Sequence, residues 1–557
     1  MRVVQLPEKP NRYDLLALTF TLVLLALFLE ASRETAAPLP PAGLSLDPHH
    51  LPEYALRTAF RMGVALLLSL AFTLVYAPLA AKTRGEPFLV SLLDILQSVP
   101  ILGFLAATAG AFAALFPGRA LGFELAAIFA VFTSQAWNMA FSFYQSLKTL
   151  PKDLEEVAAL YRLTPWQRFL RLELPFALPG LVWNGMMSMS GGWFFVVASE
   201  AIAVGKTQVE LPGIGSYLAT AIAQRDGQAI LLAAFGMLLV ILLYDQLLFR
   251  PLVAWSQRFK YEERPGPEPP KSWVLHILSR SQVFRRATGT LFTLALEALL
   301  AGERRLPPKP LVLPLWPLAF PLLLLGGAGA WALWQQVQPL GLGEVAKVFL
   351  LGFFTLLRVL GVLALAAVVW VPVGILLGLR PGLAQRVQAL LQVLAAFPAN
   401  LLYPPLAYGL LHHHLSLEVS SAFLMALGTQ WYILFNAVAG SMALPEDLKE
   451  AARSLGLRGF PLWRRLLLPG TFPYLVTGLL TASGGTWNAA IVAEVVQWGG
   501  TTWQATGLGS YIARWTLEEG QGPHLLLGIS VMSLYVLALN RLLWRRLYRL
   551  AEERFRL

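Results

Sequence analysis

The stretch LPKDLEEVAALYRLTPWQRFLRLELP at residues 150–175 returns as LPEDLKEAARSLGLRGFPLWRRLLLP at residues 444–469. The offset is 294 positions, the distance from Leu150 to Leu444, and it continues without a gap to residues 217 and 511. Along it Glu156 falls on Glu450, Pro175 on Pro469, Trp193 on Trp487 and Glu200 on Glu494. Gly213, Gly215, Ser216 and Tyr217 likewise fall on Gly507, Gly509, Ser510 and Tyr511. Register kept across so many sparse residue types means two copies of one fold, expected to face each other across a pseudo-two-fold axis.

Outward from the repeat, composition sets the class. The 557 residues are 56% hydrophobic and 13% charged, with mean hydropathy +0.60, whereas soluble domains carry about a quarter charged residues. Apolar runs reach the roughly 20 residues that a bilayer-crossing helix needs, and about six fall in each half. In the first half they lie near 15–29, 59–80, 88–115, 121–143, 176–204 and 229–249. In the second they lie near 311–334, 345–379, 387–411, 419–442, 472–496 and 525–543. The first run follows Arg2, Lys9 and Arg12, as a signal peptide would. No small-residue cleavage site directly follows Leu29, so a retained helix is expected.

An even number of spans per half brings both halves in and out on one side, which makes the repeat parallel. A cytoplasmic N-terminus places roughly 34 of the 43 Lys and Arg inside, in the sense of the positive-inside rule. The net charge of +11 is therefore a topology signal. It is spread along membrane flanks and not gathered on one domain, which argues against nucleic acid as a partner. Without cysteine, thiolate and disulfide chemistry are excluded. The organisation expected is a first domain at 1–261, a linker at 262–310 and a second domain at 311–557. Pro and charge dominate 262–271 and 302–310, which suits extended chain. Between them, 273–300 sets Arg280, Arg285 and Arg286 among apolar residues. Two readings stay open for it: an amphipathic helix on membrane lipids, or a short cytoplasmic helix packed on the bundle.

The repeated polar stretch reads as a helix–turn–helix. Asp153, Glu155 and Glu156 occupy an early turn, where the helix dipole favours acids. Thr164 suits a cap and Pro165 the first helical position. Gly456 suits the left-handed residue that closes a helix. Ala158, Ala159, Ala451 and Ala452 keep one face thin enough for a partner to approach.

At these residues the chain resembles a known family. Glu450-Ala451-Ala452, then Gly456, then Leu468-Pro469 is similar to the EAA motif of binding-protein-dependent ABC importer permeases. The first copy keeps Glu156, Ala158 and Ala159, but has Val157 for an alanine and Arg162 where the motif has glycine. Gly192-Trp193 through Glu200 and Gly213-Ile214-Gly215-Ser216-Tyr217, repeated around Trp487, Glu494 and Gly507–Tyr511, resemble the nitrate, sulfonate, taurine and bicarbonate branch. Permeases of that branch are usually separate chains that dimerise, and this chain resembles their fused form.

The resemblance implies an all-α integral membrane fold of two tandem type I importer-like domains. Two copies of an ABC ATPase subunit would dock on the two loops, and an extracytoplasmic solute-binding protein would deliver a small-molecule anion. It further implies a prokaryotic inner (plasma) membrane and cytoplasmic termini. ATP would be used by the partner, with no cofactor and no catalysis on this chain.

Other features of the sequence carry competing readings. Gly205-Lys206-Thr207 imitates the end of a phosphate-binding loop, but Glu200 stands where the required glycine would be. His412-His413-His414 cannot converge on one ion from a regular helix, so no metal site is expected. Glu200 and Glu494 lie deep in apolar sequence, and they are either hydrogen-bonded structural groups or substrate contacts. Asn184, Ser188, Ser190, Trp193, Ser483, Thr486, Trp487 and Asn488 give one span of each half a polar stripe. That stripe suits a solute pathway or close helix packing. Arg358 lies inside a span and suits an anion, a snorkelling position or an inter-helix pair. Two further functions stay open. One is a fused permease for ferric iron or thiamine. The other is a secondary transporter with parallel 6 + 6 repeats, which would have no use for two docking loops.

Overall fold

The computed structural model describes residues 11–33, 44–83, 85–204, 207–259, 272–303, 316–442, 444–518 and 522–554. The basic N-terminal residues Arg2 and Lys9, the Pro-rich 262–271, most of 302–310 and the Gly205-Lys206 pair lie outside these.

The described chain is helical apart from two short hairpins. Among the described residues eight helices are long and apolar enough to cross a membrane, and a bent pair raises the number to nine. That pair is Glu86–Gln97 and Ile101–Leu115, set at 82° where the sequence suggests one span at 88–115. Its second-half counterpart, expected at 387–411, is likewise split into Pro381–Ala396 and Tyr403–His412. Pro100 and Pro398 sit at the two breaks, where a missing N–H interrupts the helical ladder.

The spans expected at 176–204 and 472–496 also end before their apolar runs do. The helices Leu174–Glu200 and Leu468–Ala493 stop there, and the chain turns into strands Ala201–Val204 and Val495–Trp498. Each strand pairs antiparallel with its successor, Ala201 opposite Glu210 and Val495 opposite Gln504.

The broken helices lock the halves together. Ile101, Leu105 and Ala109 of the first half share a core with Ile491, Ile529 and Met532 of the second. The Ile101 amide donates to Asn488 Oδ1 at 2.8 Å. In the opposite direction, Asn400 Nδ2 donates to the Phe194 carbonyl at 3.1 Å. Large apolar side chains such as Leu231, Phe235, Leu365 and Val368 stay exposed around the outside, as a hydrocarbon solvent requires.

Near the linker, helix Gln282–Glu303 is fixed to the first span. Asp14 Oδ1 accepts from the Val283 amide at 2.9 Å and from Ser281 Oγ at 2.7 Å.

Candidate functional site

The repeated loops fold as two nine-residue helices, Lys152–Leu160 and Glu446–Ser454. Glu156 and Glu450 are exposed on them. Only one alanine of each pair is turned inward: Ala158 and Ala452 are buried, while Ala159 and Ala451 face out. Beside them Leu160 and Leu455 stand 81% and 75% exposed, apolar tips with nothing covering them.

The two copies close identically despite their different residues. Arg162 has φ 49° and Gly456 φ 67°, both left-handed. The next amides, Leu163 and Leu457, donate to the Ala158 and Ala452 carbonyls at 3.1 and 2.9 Å. Arg162 therefore holds the glycine's turn at the steric cost that glycine avoids.

As the sequence suggests, Thr164 caps the next helix, accepting from the Gln167 amide at 3.2 Å in a capping box. Each copy then widens into a π-helical turn, Phe169–Glu173 and Trp463–Leu467, just before Leu174-Pro175 and Leu468-Pro469. The first loop is braced by Arg168, which donates to Glu155 at 2.5 Å and to Glu173 at 2.9 Å. Its register partners in the second loop, Leu462, Lys449 and Leu467, cannot form that brace.

Leu174–Glu200 is 27 residues long, so at 1.5 Å per residue it carries the chain about 40 Å from the loop to the hairpin end. Glu200 ends it without solvent exposure. Its carboxylate accepts from Arg61 Nη1 at 2.8 Å, Thr58 Oγ1 at 2.6 Å and the Gly215 amide at 2.6 Å. Arg61 also grips Glu124 through Nε and Nη2, both at 2.6 Å.

The second half repeats the network. Glu494 accepts from Arg358 at 2.8 Å, Thr355 at 2.9 Å and the Ser510 amide at 3.1 Å, and Arg358 pairs with Glu418. Here the network is partly open, because the Glu418 side chain is 47% exposed against 5% for Glu124.

The glycines of the repeated Gly-x-Gly-Ser-Tyr motif make room for these carboxylates. A Cβ on Gly213 would stand 2.3 Å from the Glu200 carboxyl, and one on Gly507 2.2 Å from that of Glu494.

The polar stripe divides. Ser190 borders a cavity between the halves, together with Gly191, Phe194, Tyr403, Thr429, Tyr432 and Gly485. Trp193 borders a second cavity and stacks edge-on against Tyr244 at 5.3 Å. Asn184 caps back to the Gly180 carbonyl, and Ser188 accepts from Asn138. Asn488 reaches across to Ile101.

Of the ten candidate wall residues, Ser190 and Trp193 border these two cavities and the other eight do not. Glu200, Glu494, Trp487, Ser483 and Thr486 are buried inside their own half and line neither cavity. The carboxylates face arginine because a buried charge needs a counter-charge. Ser483 accepts from Trp544, Thr486 bonds Thr429, and Trp487 stacks on Tyr535. Asn184, Ser188 and Asn488 also lie off both cavities.

Arg61, Glu124, Glu418, Thr58 and Thr355 were not singled out by sequence reasoning. Glu124 and Glu418 keep the 294 offset and could have been found by it. Arg61 and Arg358 are 297 apart, because three residues are gained before the repeat comes into register.

Two membrane-embedded helical halves, gripping each other around a small cavity and carrying matched loop helices at one end, define a solute permease. The family of binding-protein-dependent transport system inner membrane components matches residues 65–250 and again 341–556, and the chain belongs to that family. It is 30% identical over 179 residues to the nitrate import permease protein NrtB of Leptolyngbya laminosa, covering 32% of this chain and 60% of that one. It is 29% identical over 195 residues to the bicarbonate transport system permease protein CmpB of Synechococcus elongatus, covering 35% and 61%. Over 79 residues it is 40% identical to the putative aliphatic sulfonates transport permease protein SsuC of Escherichia coli, covering 14% and 30%. The matched segments thus span about 60% or less of these relatives. The chain is a multi-pass membrane transport component.

Proposed function

We propose that this chain is the permease pair of an ATP-driven importer for a small oxyanion, with both halves on one polypeptide. The observation that carries the proposal is the pair of identically closed loop helices, each with an exposed glutamate and an uncovered leucine tip. One ATPase subunit docks on each loop. Closure of the two ATPases draws the loops together, and the rigid helices from Pro175 and Pro469 carry that motion about 40 Å to the hairpin ends. The halves rock about the cavity between them, opening it alternately to each side.

The loop end is cytoplasmic and both termini share that side, in keeping with the positive-inside excess. A solute-binding protein delivers substrate at the hairpin end. The chain needs no cofactor of its own, since ATP is hydrolysed by the partner. The similarity to permeases named for nitrate, bicarbonate and aliphatic sulfonates supports an oxyanion over ferric iron or thiamine. A division into permease domains at 1–261 and 311–557 follows from the same reading.

The test is uptake by the assembly purified from native membranes and placed in liposomes with ATP inside, offered labelled nitrate, bicarbonate and methanesulfonate with the binding protein outside. ATP-dependent accumulation of one of them is expected. Uptake that ignores ATP and follows an ion gradient would overturn the proposal in favour of a secondary transporter.

A further inference from the structure

The cavity between the halves holds an unmet hydrogen-bonding capacity. Tyr403 is 2% exposed, yet its hydroxyl has no hydrogen-bond partner among the described residues. An unpaired buried hydroxyl is costly, and such groups call for an explanation. It points at backbone without side chain, since a Cβ on Gly428 would stand 3.6 Å from it. The Tyr432 hydroxyl ends the same way against Gly191, at 2.6 Å from a built Cβ. All four residues border the cavity.

The other hydroxyls there are engaged. Ser190 donates to the Met186 carbonyl at 3.1 Å, and Thr429 donates to the Met425 carbonyl at 3.0 Å. Among the described residues the lining carries no charged side chain. We propose that the Tyr403 and Tyr432 hydroxyls form the hydrogen-bond-donating wall of a transient subsite for a small oxyanion.

The ligand class follows from the chemistry of the wall. Free phenolic protons seek an acceptor, and no carboxylate is present to favour a cation. Neutral donors hold an anion firmly enough to enter and loosely enough to leave, as conduction demands. The wall belongs to the second half alone: the 294 offset puts Asn138 at the Tyr432 position, and counting from Pro100 and Pro398 puts Leu105 at that of Tyr403. Asn138 is already committed to Ser188. The duplicated scaffold thus presents one donor wall and one inert wall.

The inference rests on the importer reading, and its test separates the two. Wild-type assembly, Tyr403→Phe, Tyr432→Phe and the double variant are placed in liposomes and assayed for ATP-driven uptake of nitrate, bicarbonate and methanesulfonate. The exposed Tyr408→Phe serves as control. The full chain alone is also heated with each sodium salt against sodium chloride at equal ionic strength. Uptake is expected to fall about tenfold or more in the double variant, the loss of hydrogen bonds to a charged ligand. One oxyanion should raise the unfolding temperature of wild type, and that rise should vanish in the double variant while the salt-free variant is at least as stable. A purely structural role for the hydroxyls would instead lower the salt-free unfolding temperature and overturn the inference. Variants that import at the wild-type rate would overturn it and leave the importer reading standing. A wild-type assembly that imports none of the three anions would overturn the anion reading, and the inference with it.

Discussion

Arg61 donates to Glu200 over 2.8 Å with both side chains sealed from solvent, 139 residues apart in the chain. The pair ties helix Leu51–Lys82 to the end of helix Leu174–Glu200, and Glu124 on helix Ala120–Lys148 holds the other side of the guanidinium. Removing Glu200 leaves Arg61 paired with Glu124 but takes the acceptor from Thr58 and the Gly215 amide as well, and each buried donor left unsatisfied costs about 1–3 kcal/mol. Glu200→Ala should therefore lower the unfolding midpoint of the purified chain sharply. Glu53→Ala, at a half-exposed position, should leave it almost unchanged. Equal midpoints for the two variants would contradict the account of the network.

The second network predicts an asymmetry. Glu418 is 47% exposed on its side chain where Glu124 is 5%, so water already screens its hold on Arg358. Glu418→Ala should cost about 0–1 kcal/mol, clearly less than Glu124→Ala in the same denaturation series. A larger loss for Glu418→Ala would show that the two halves close in a way that this structure does not describe.

Gly213→Ala and Gly507→Ala should each disrupt folding or expression, because the added methyl would overlap a carboxylate at 2.3 or 2.2 Å. Gly227→Ala meets nothing within 4 Å at the start of a helix, and it should be neutral or slightly stabilising. Yields and unfolding midpoints of the three variants side by side are the check.

Arg162 pays a left-handed backbone cost that Gly456 does not. Arg162→Gly should be neutral or stabilise by about 0.5–1 kcal/mol, while Gly456→Ala should destabilise by about 1 kcal/mol or more. If Arg162→Gly destabilised instead, the arginine side chain would have to hold the loop by contacts absent from the turn geometry.

Much of this was legible in the sequence, for identifiable reasons. The repeat sits in the loop helices, where capping residues and turn chemistry act locally, and so Thr164, Pro165 and Gly456 behave as their types dictate. The apolar runs located the helices, but hydropathy alone does not register a bend. Pro100 and Pro398 split two expected spans, and strands took over the ends of two others. The cavity lining was the least legible part. A polar residue in an apolar run looks alike whether it faces a cavity or a neighbouring helix. Thr486 and Ser483 turned to Thr429 and Trp544, whereas the cavity wall came from Tyr403 and Tyr432, which sequence hydropathy does not mark out. Arg61 was hidden because its match to Arg358 breaks the 294 register by three.

The central claim, two ATPase subunits driven against two loops of one chain, is tested most directly by native mass spectrometry of the tagged assembly released from its own membranes. The account predicts one copy of this chain with two copies of an ATPase, loss of one copy in Glu156→Lys or Glu450→Lys, and loss of both in the double variant. Recovery of the wild-type chain with no ATPase, under conditions that preserve other transporter complexes, would contradict it.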